Sequence, residues 1–227
     1  MYKKAFFIVL IAAAILSAQS KIPPSQPTHL FYTPTAYVNP PDHFVAGLHE
    51  ISYAFPGNLQ LQLSLIDNIG RINAGGKFGI AENLSVGAGL AYSFLNMGTW
   101  GHGIERGASP RLGLFLAYGF IQNEFTEAVV TPHTQIGDRF SLGCDLGFKT
   151  WVVDMWAIMA EIGTSIDFSD RSGPCLYLFG IGGVRINPPS IPFMYFDFGI
   201  NLSEWAPRYS SPRVGVYLDA TFTIITI

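Results

Sequence analysis

The sequence predicts an all-β fold, a closed antiparallel transmembrane β-barrel of about twelve strands. Three observations carry that prediction. First, segments of about ten residues alternate between apolar and polar or small side chains. In Asn58 to Asn68, NLQLQLSLIDN, the leucines 59, 61, 63 and 65 share one face of an extended chain and Gln60, Gln62 and Ser64 the other. Second, the polar faces carry glycine and isolated charges where a soluble barrel would show many Lys, Glu and Thr. The whole chain is only 13% charged, against a usual quarter or so, and its mean hydropathy is positive. Third, no run after residue 20 reaches eighteen continuous apolar residues, so the oily faces cannot come from membrane helices. A closed barrel is the remaining structure that satisfies every backbone polar group in lipid. The leucines of NLQLQLSLIDN are therefore expected to face lipid; a soluble exported sandwich or barrel, with the leucines inward, is the competing arrangement.

The candidate strands follow in order from turn punctuation. They cover roughly 29–38, 43–55, 58–66, 69–81, 84–95, 110–122, 125–131, 139–150, 155–167, 174–186, 193–202 and 212–226. Turn-forming residues separate them, as in Asn39-Pro40-Pro41-Asp42, Pro56-Gly57-Asn58, Ala81-Glu82-Asn83 and Asn187 to Pro192. The weakest members are the first, interrupted by Pro34, and the seventh, FTEAVVT; without them the count is ten. Bacterial single-chain barrels have even strand numbers, short periplasmic turns and longer outer loops. Twelve strands put 96–109, 132–138 and 203–211 on the outer side. Leu90 to Phe94 and Leu116 to Phe120 repeat the pattern LAYxF on neighbouring, oppositely directed strands, which would place aromatic side chains near both rims.

The N-terminus places the barrel. Lys3 and Lys4, an apolar run from Ala5 to Leu16, and Ala18-Gln19-Ser20 have the layout of a cleavable secretory signal. Residues 1–20 are thus expected to be a signal peptide and 21–227 one barrel domain. Without its first twenty residues the 227-residue chain would be about 207 residues long, and loss of two lysines takes the formal charge from -3 to -5. That balance gives nucleic acid no attraction. An exported barrel implies the bacterial outer membrane, with its lipid as the surrounding medium.

Continuing the alternation assigns the inward charges, the expected pore lining: Arg71, Lys77, Arg111, Lys149, Arg185 and Arg213, with Glu50, Asp145, Glu161, Asp197 and Asp219. The mixture suits either a channel that orients small polar solutes or a salt-bridged, closed interior. Inward glycines such as Gly75, Gly79, Gly87, Gly89, Gly143, Gly147 and Gly199 leave open space or mark curvature. The frame falters at residues 48–51: Glu50 inward puts His49 toward lipid unless a bulge intervenes. Cys144 falls on the outward frame and Cys175 on the inward frame two strands away, so no disulfide is expected.

Over this length and pattern the chain resembles bacterial outer-membrane β-barrel proteins, porin-like ones included. Its stretch LFYTPTAYVNPPDHFVAGLH is similar to the T-P-T-A opening of barrels associated with exopolysaccharide export. The resemblance implies insertion by the barrel-assembly machinery. It departs at the last residues, Thr223-Ile224-Ile225-Thr226-Ile227, where such chains carry Phe or Trp. Catalytic signals are thin: His102, Glu105 and Ser109 share one expected outer loop, and His133 and Asp138 another, without a G-x-S-x-G. No H-x-x-x-H or C-x-x-C spacing and no nucleotide loop occurs, so neither metal nor cofactor is expected. Three functions stand: a small channel, a structural or assembly barrel tied to polysaccharide export, and a loop-borne hydrolase or protease, with no enzyme activity the expectation. Oligomeric state is open.

Overall fold

Alternation along each strand, with turns at the residues that favour them, produces a barrel with no free edge. The computed structural model describes residues 29–30, 33–48, 50–63, 71–93, 110–137, 140–168, 173–205 and 214–225; the side chains of 71, 72, 92, 93, 203–205, 224 and 225 are not described. The strands are β1 (His43–Gly47), β2 (Ile51–Phe55), β3 (Leu59–Leu63), β4 (Arg71–Ala81), β5 (Leu84–Ser93), β6 (Pro110–Gln122), β7 (Thr126–Ile136), β8 (Phe140–Val153), β9 (Trp156–Asp167), β10 (Cys175–Ile186), β11 (Met194–Trp205) and β12 (Val214–Ile225). Each pairs antiparallel with its neighbours in sequence, and β12 returns to β1, with Gly47 opposite Thr221, to close the barrel.

The outer wall is apolar. Leu59, Leu61 and Leu63 are exposed, Leu61 at 48%, while the intervening Gln60 is fully buried in the interior. The same division holds on β9, where Ile158 and Ile162 are exposed and Ala157, Met159 and Glu161 are buried. An oily outside around a polar inside is the arrangement of a barrel in lipid, and the question raised by the leucines is answered in favour of lipid. Among the described residues no helix is long and apolar enough to cross a membrane. Exposed Phe55, Tyr118, Phe120, Trp156 and Phe193 gather at one end of the wall, and Phe140 and Phe168, with ring centroids 5.8 Å apart, at the other. These form the two aromatic rims that interfaces favour.

One end has tight connections, at 56–58, 82–83, 123–125, 154–155 and 187–193; the other has the longest, at 94–109. Gly57 and Asn58 turn with φ of 86° and 63°, a left-handed backbone that glycine and asparagine tolerate.

The count of twelve arises differently from the expectation. Residues 29–38 are no strand of the wall. Pro34 lacks an amide, and apart from a single bridge between His29 and Pro34 the described residues of the segment pair with nothing in the manner of a sheet. The expected strand 43–55 is instead two, β1 and β2. Between them the Gly47 amide donates to the Glu50 carbonyl at 2.6 Å, and the packing of Thr221 against Gly47 leaves no room for a Cβ there. The apparent fault in alternation at residues 48–51 is therefore a hairpin turn; His49 itself lies outside the described residues. The weak seventh strand is longer than FTEAVVT, running through Pro132 to Ile136, so 132–136, expected in a loop, belongs to the wall. The β6–β7 ladder passes from Phe115↔His133 to Tyr118↔Val130 in constant register without pairs at Pro132 or Thr131, which accommodates the missing proline amide. Cys144 and Cys175 are both free thiols, with no disulfide between them. The expected signal peptide lies outside the described residues.

Candidate functional site

The inward faces of the strands meet a piece of the chain's own N-terminal region. The Gln60, Lys77, Lys149, Glu161, Arg185 and Asp197 side chains point inward near the tight-turn end, and each is at most 1% exposed. Burying so many charges requires partners. Residues 29–30 and 33–39, which precede β1, cross the lumen at this level and supply them.

Thr33 donates its amide to both carboxylate oxygens of Glu161, at 3.2 Å each. Two residues on, the Thr35 carbonyl and hydroxyl accept from the Lys77 ammonium, also at 3.2 Å, and Ser85 donates to the same carbonyl. Arg185 forks onto Asp197 at 2.7 and 2.8 Å and reaches the carbonyls of His29 and Leu30 at 3.1 Å. Asn39 donates to Gln60, which in turn donates to Glu50 and Ser52. The Tyr37 ring lies between Lys77 and Lys149, 5.8 and 5.7 Å from their nitrogens, close enough for cation–π attraction. Lys149 also pairs with Glu127 at 3.0 Å. Apolar residues complete the seal: Leu30 and Ala36 are fully buried in a cluster with Ala117, Val129, Met159, Ile181 and Tyr217.

His29 joins the segment to the wall through Glu50, and its other nitrogen stands 3.7 Å from Asp219. It belongs to the interior segment and to no membrane-spanning strand. Burial disfavours its charge, but the carboxylates of Glu50 and nearby Asp219 outweigh that and hold its pKa up at about 9.

The glycines take on a different meaning here. Gly147 faces Leu30 and Gly79 faces Val38, and in each case a Cβ would press on the interior segment. The space such glycines leave is occupied.

Toward the other end the inward side chains emerge from burial. Arg111, Phe115, His133, Asp145, Tyr177 and Phe179 are all partly exposed, lining a cup whose floor is the interior segment. His133, expected in an outer loop, stands on β7 and points into this cup, 3.2 Å from Asp145. Of the expected pore-lining charges, Glu50, Lys77, Lys149, Glu161, Arg185, Asp197 and Asp219 lie in the sealed half and Arg111 and Asp145 in the cup. The Arg71 side chain and Arg213 lie outside the described residues, as do His102, Glu105, Ser109 and Asp138.

Sequence reasoning did not single out Glu127, His29, Tyr37 or Phe115, and it placed Gln60 and Phe179 on inward faces without giving them a role. Glu127 sits where Thr126, Glu127, Ala128 and Val129 are all buried, so no alternation marks its face. The bonds of His29 and Tyr37 join residues far apart in sequence, and alternation carries no sign of them.

Donor atoms of His29, Asp197 and Asp219 lie within 4.8 Å of one another, a spacing that could hold a metal. Both Asp197 oxygens are already engaged by Arg185, however, so a guanidinium is the cation of this cluster.

Together, the polar lumen, apolar wall and aromatic rims define a transmembrane β-barrel with the architecture of bacterial outer-membrane barrels. No protein-family model matches the chain, and no curated protein matches it by sequence. Among solved structures it is similar to a bacterial polysaccharide outer membrane secretin, at 12% identity and a TM-score of 0.51, over 78% of this chain and 69% of that one. A loop L8 deletion mutant of OmpT, an outer membrane protein of Vibrio cholerae, aligns at 11% identity and a TM-score of 0.47, over 77% of this chain and 62% of that one. Outer-membrane expressed OmpT of the same organism aligns at 11% identity and a TM-score of 0.45, over 77% and 64%.

Proposed function

We propose that the protein is a conduit of the bacterial outer membrane for a polar, carbohydrate-like solute, held shut in this conformation by residues 29–30 and 33–39, and not an enzyme. The observation that carries this reading is the pinning of Thr33 and Thr35 by Glu161 and Lys77 across the lumen. A seal meant only for stability would be made more simply from apolar side chains, because buried charges carry a large desolvation cost. Polar pins, by contrast, can exchange protein partners for water or solute when the segment moves. The residues similar to the opening of exopolysaccharide-export barrels, Thr33-Pro34-Thr35-Ala36, are the ones that cross the lumen, and the likeness to a polysaccharide secretin points to the same class of solute. The short turns would face the periplasm, so the segment would close the barrel from that side. The structural reading of a permanently closed barrel is favoured by the dense pairing of the interior.

Single-channel recording separates the two. The purified wild type is expected to be silent, and the variant carrying Lys77→Met with Glu161→Gln to conduct, each in barrels proved folded by their heat-dependent shift on gels. A folded but silent double variant would leave the structural reading ahead, and steady conductance by the wild type would mean that the segment does not seal.

A further inference from the structure

Three rings of the cup, those of Phe115, His133 and Phe179, are arranged in one way. Phe115 on β6 is the cross-strand partner of Gly87, His133 on β7 of Gly143, and Phe179 on β10 of Gly163. In all three pairs a Cβ on the glycine would run into the ring, so each ring lies over its glycine along the wall. A ring laid against a glycine covers exposed backbone with one face and turns the other toward the lumen.

The registers link these rings. Phe115 pairs with His133, His133 with Gly143, Gly143 with Ser165, and Ser165 with Tyr177. This row crosses five strands, roughly 19 Å at about 4.8 Å per strand. The adjoining row places Asp145 opposite Gly163 and Gly163 opposite Phe179. Phe115 also packs on the apolar cluster that contains Leu30 and Ala36, so the band rests directly on the floor.

The chemistry narrows the ligand. Partly exposed ring faces suit flat apolar patches. The His133–Asp145 pair, Ser165 and the Tyr177 hydroxyl offer both donors and acceptors. Fixed charge on the band is sparse and mixed, which disfavours an anionic polymer, and the polar groups disfavour a lipid chain. A sugar chain has what this surface lacks: ring C–H faces between rows of hydroxyls.

We propose that this band is a binding site for an extended, neutral glycan, with Phe115 and Phe179 contacting sugar faces and His133 and Asp145 the hydroxyls. Its place in transport rests on the conduit reading. Binding to the closed wild type does not, so a silent pore and an empty site are separate failures.

The test uses the full-length barrel in detergent micelles, titrated calorimetrically with cellohexaose as the neutral probe and hexagalacturonate as the acidic one. Cellohexaose is expected to bind and the acidic probe to bind more weakly. Phe115→Leu and Phe179→Leu, which keep most of the packing volume, should each weaken the neutral probe by about fivefold, the loss of one ring contact. Phe198→Leu on the outer face should leave it unchanged. The proposal is overturned if folded wild type binds neither hexamer, if the acidic probe binds better, or if the double Phe→Leu variant binds as the wild type does.

Discussion

The two halves of the lumen are built from the same strands with the same alternation, yet the described inward side chains are buried in one and partly exposed in the other. On β8 the inward residues Ser141, Gly143 and Asp145 are partly exposed, whereas Gly147, Lys149 and Trp151, next along the same face, are buried. Nothing in the alternation changes between them. What changes is whether residues 29–30 and 33–39 lie opposite. Inward polarity in a barrel therefore does not by itself mean a pore: the same charges can line water or grip a segment of protein.

The comparison can be broken most directly at Arg185. Arg185→Met strands the Asp197 carboxylate and releases the carbonyls of His29 and Leu30, and is expected to cost about 3–5 kcal/mol, the usual result of halving a buried pair. Arg111→Met in the cup should cost below about 1 kcal/mol, as partly solvated charges do. Urea unfolding in micelles, followed by the gel shift, measures both. Equal losses would mean that the halves do not differ in packing.

Lipid should treat the two ends alike, which is the control on this contrast. Leu61→Arg, on the exposed outer face of β3, is expected to cost roughly 2–4 kcal/mol if it lies near the midplane. A value near zero in a refolding titration into bilayers would mean that this face does not meet hydrocarbon.

Glycines sharpen the comparison further. Gly147→Ala presses a methyl group on Leu30 and is expected to destabilise by about 1–3 kcal/mol, as overpacking does. Gly113→Ala in the cup meets only the Gly89 carbonyl, at 3.8 Å, and should stay within about 0.5 kcal/mol. If the interior segment is a gate, Gly147→Ala should also raise the frequency of channel openings while Gly113→Ala does not.

A further effect expected is that of pH on the interior segment. His29 is held at about 9 against an ordinary 6.5, with Glu50 and Asp219 facing it and Arg185 nearby. A raised pKa stabilises the folded arrangement fully below the ordinary value, and the contribution fades as pH climbs through the raised one. Amide exchange at Leu30, corrected for intrinsic rate, should therefore lose protection between about pH 6.5 and 9, and His29→Gln should flatten that dependence. Protection that rises over this range would reverse the sign of the linkage.

Much of the wall was legible because its signal is local. Leu59 to Leu63 carry their orientation in a two-residue period, and a one-residue slip would put the leucines inside, so the pattern states both strand and face. Pro56-Gly57-Asn58 states a turn for the same reason. The hairpin at Gly47 to Glu50 was harder: five-residue strands on either side read as one interrupted strand, and the amide-to-carbonyl bond that closes the turn leaves no mark on composition. Pro132 misled in the opposite direction, because a strand tolerates a missing amide where its partner's register runs on without it.

Alternation by itself determined an all-β barrel, its lipid-facing leucines and the inward direction of Lys77, Lys149, Glu161 and Arg185, since each follows from the geometry of neighbouring residues in an extended chain. Only the tertiary structure decided what those charges meet. Thr33 reaches Glu161 across 128 positions of sequence and Arg185 reaches Leu30 across 155, and contacts that distant have no period to betray them. Whether a lumen holds water or protein is settled when the chain closes, by which segment satisfies the buried charges, and a local pattern cannot encode that choice.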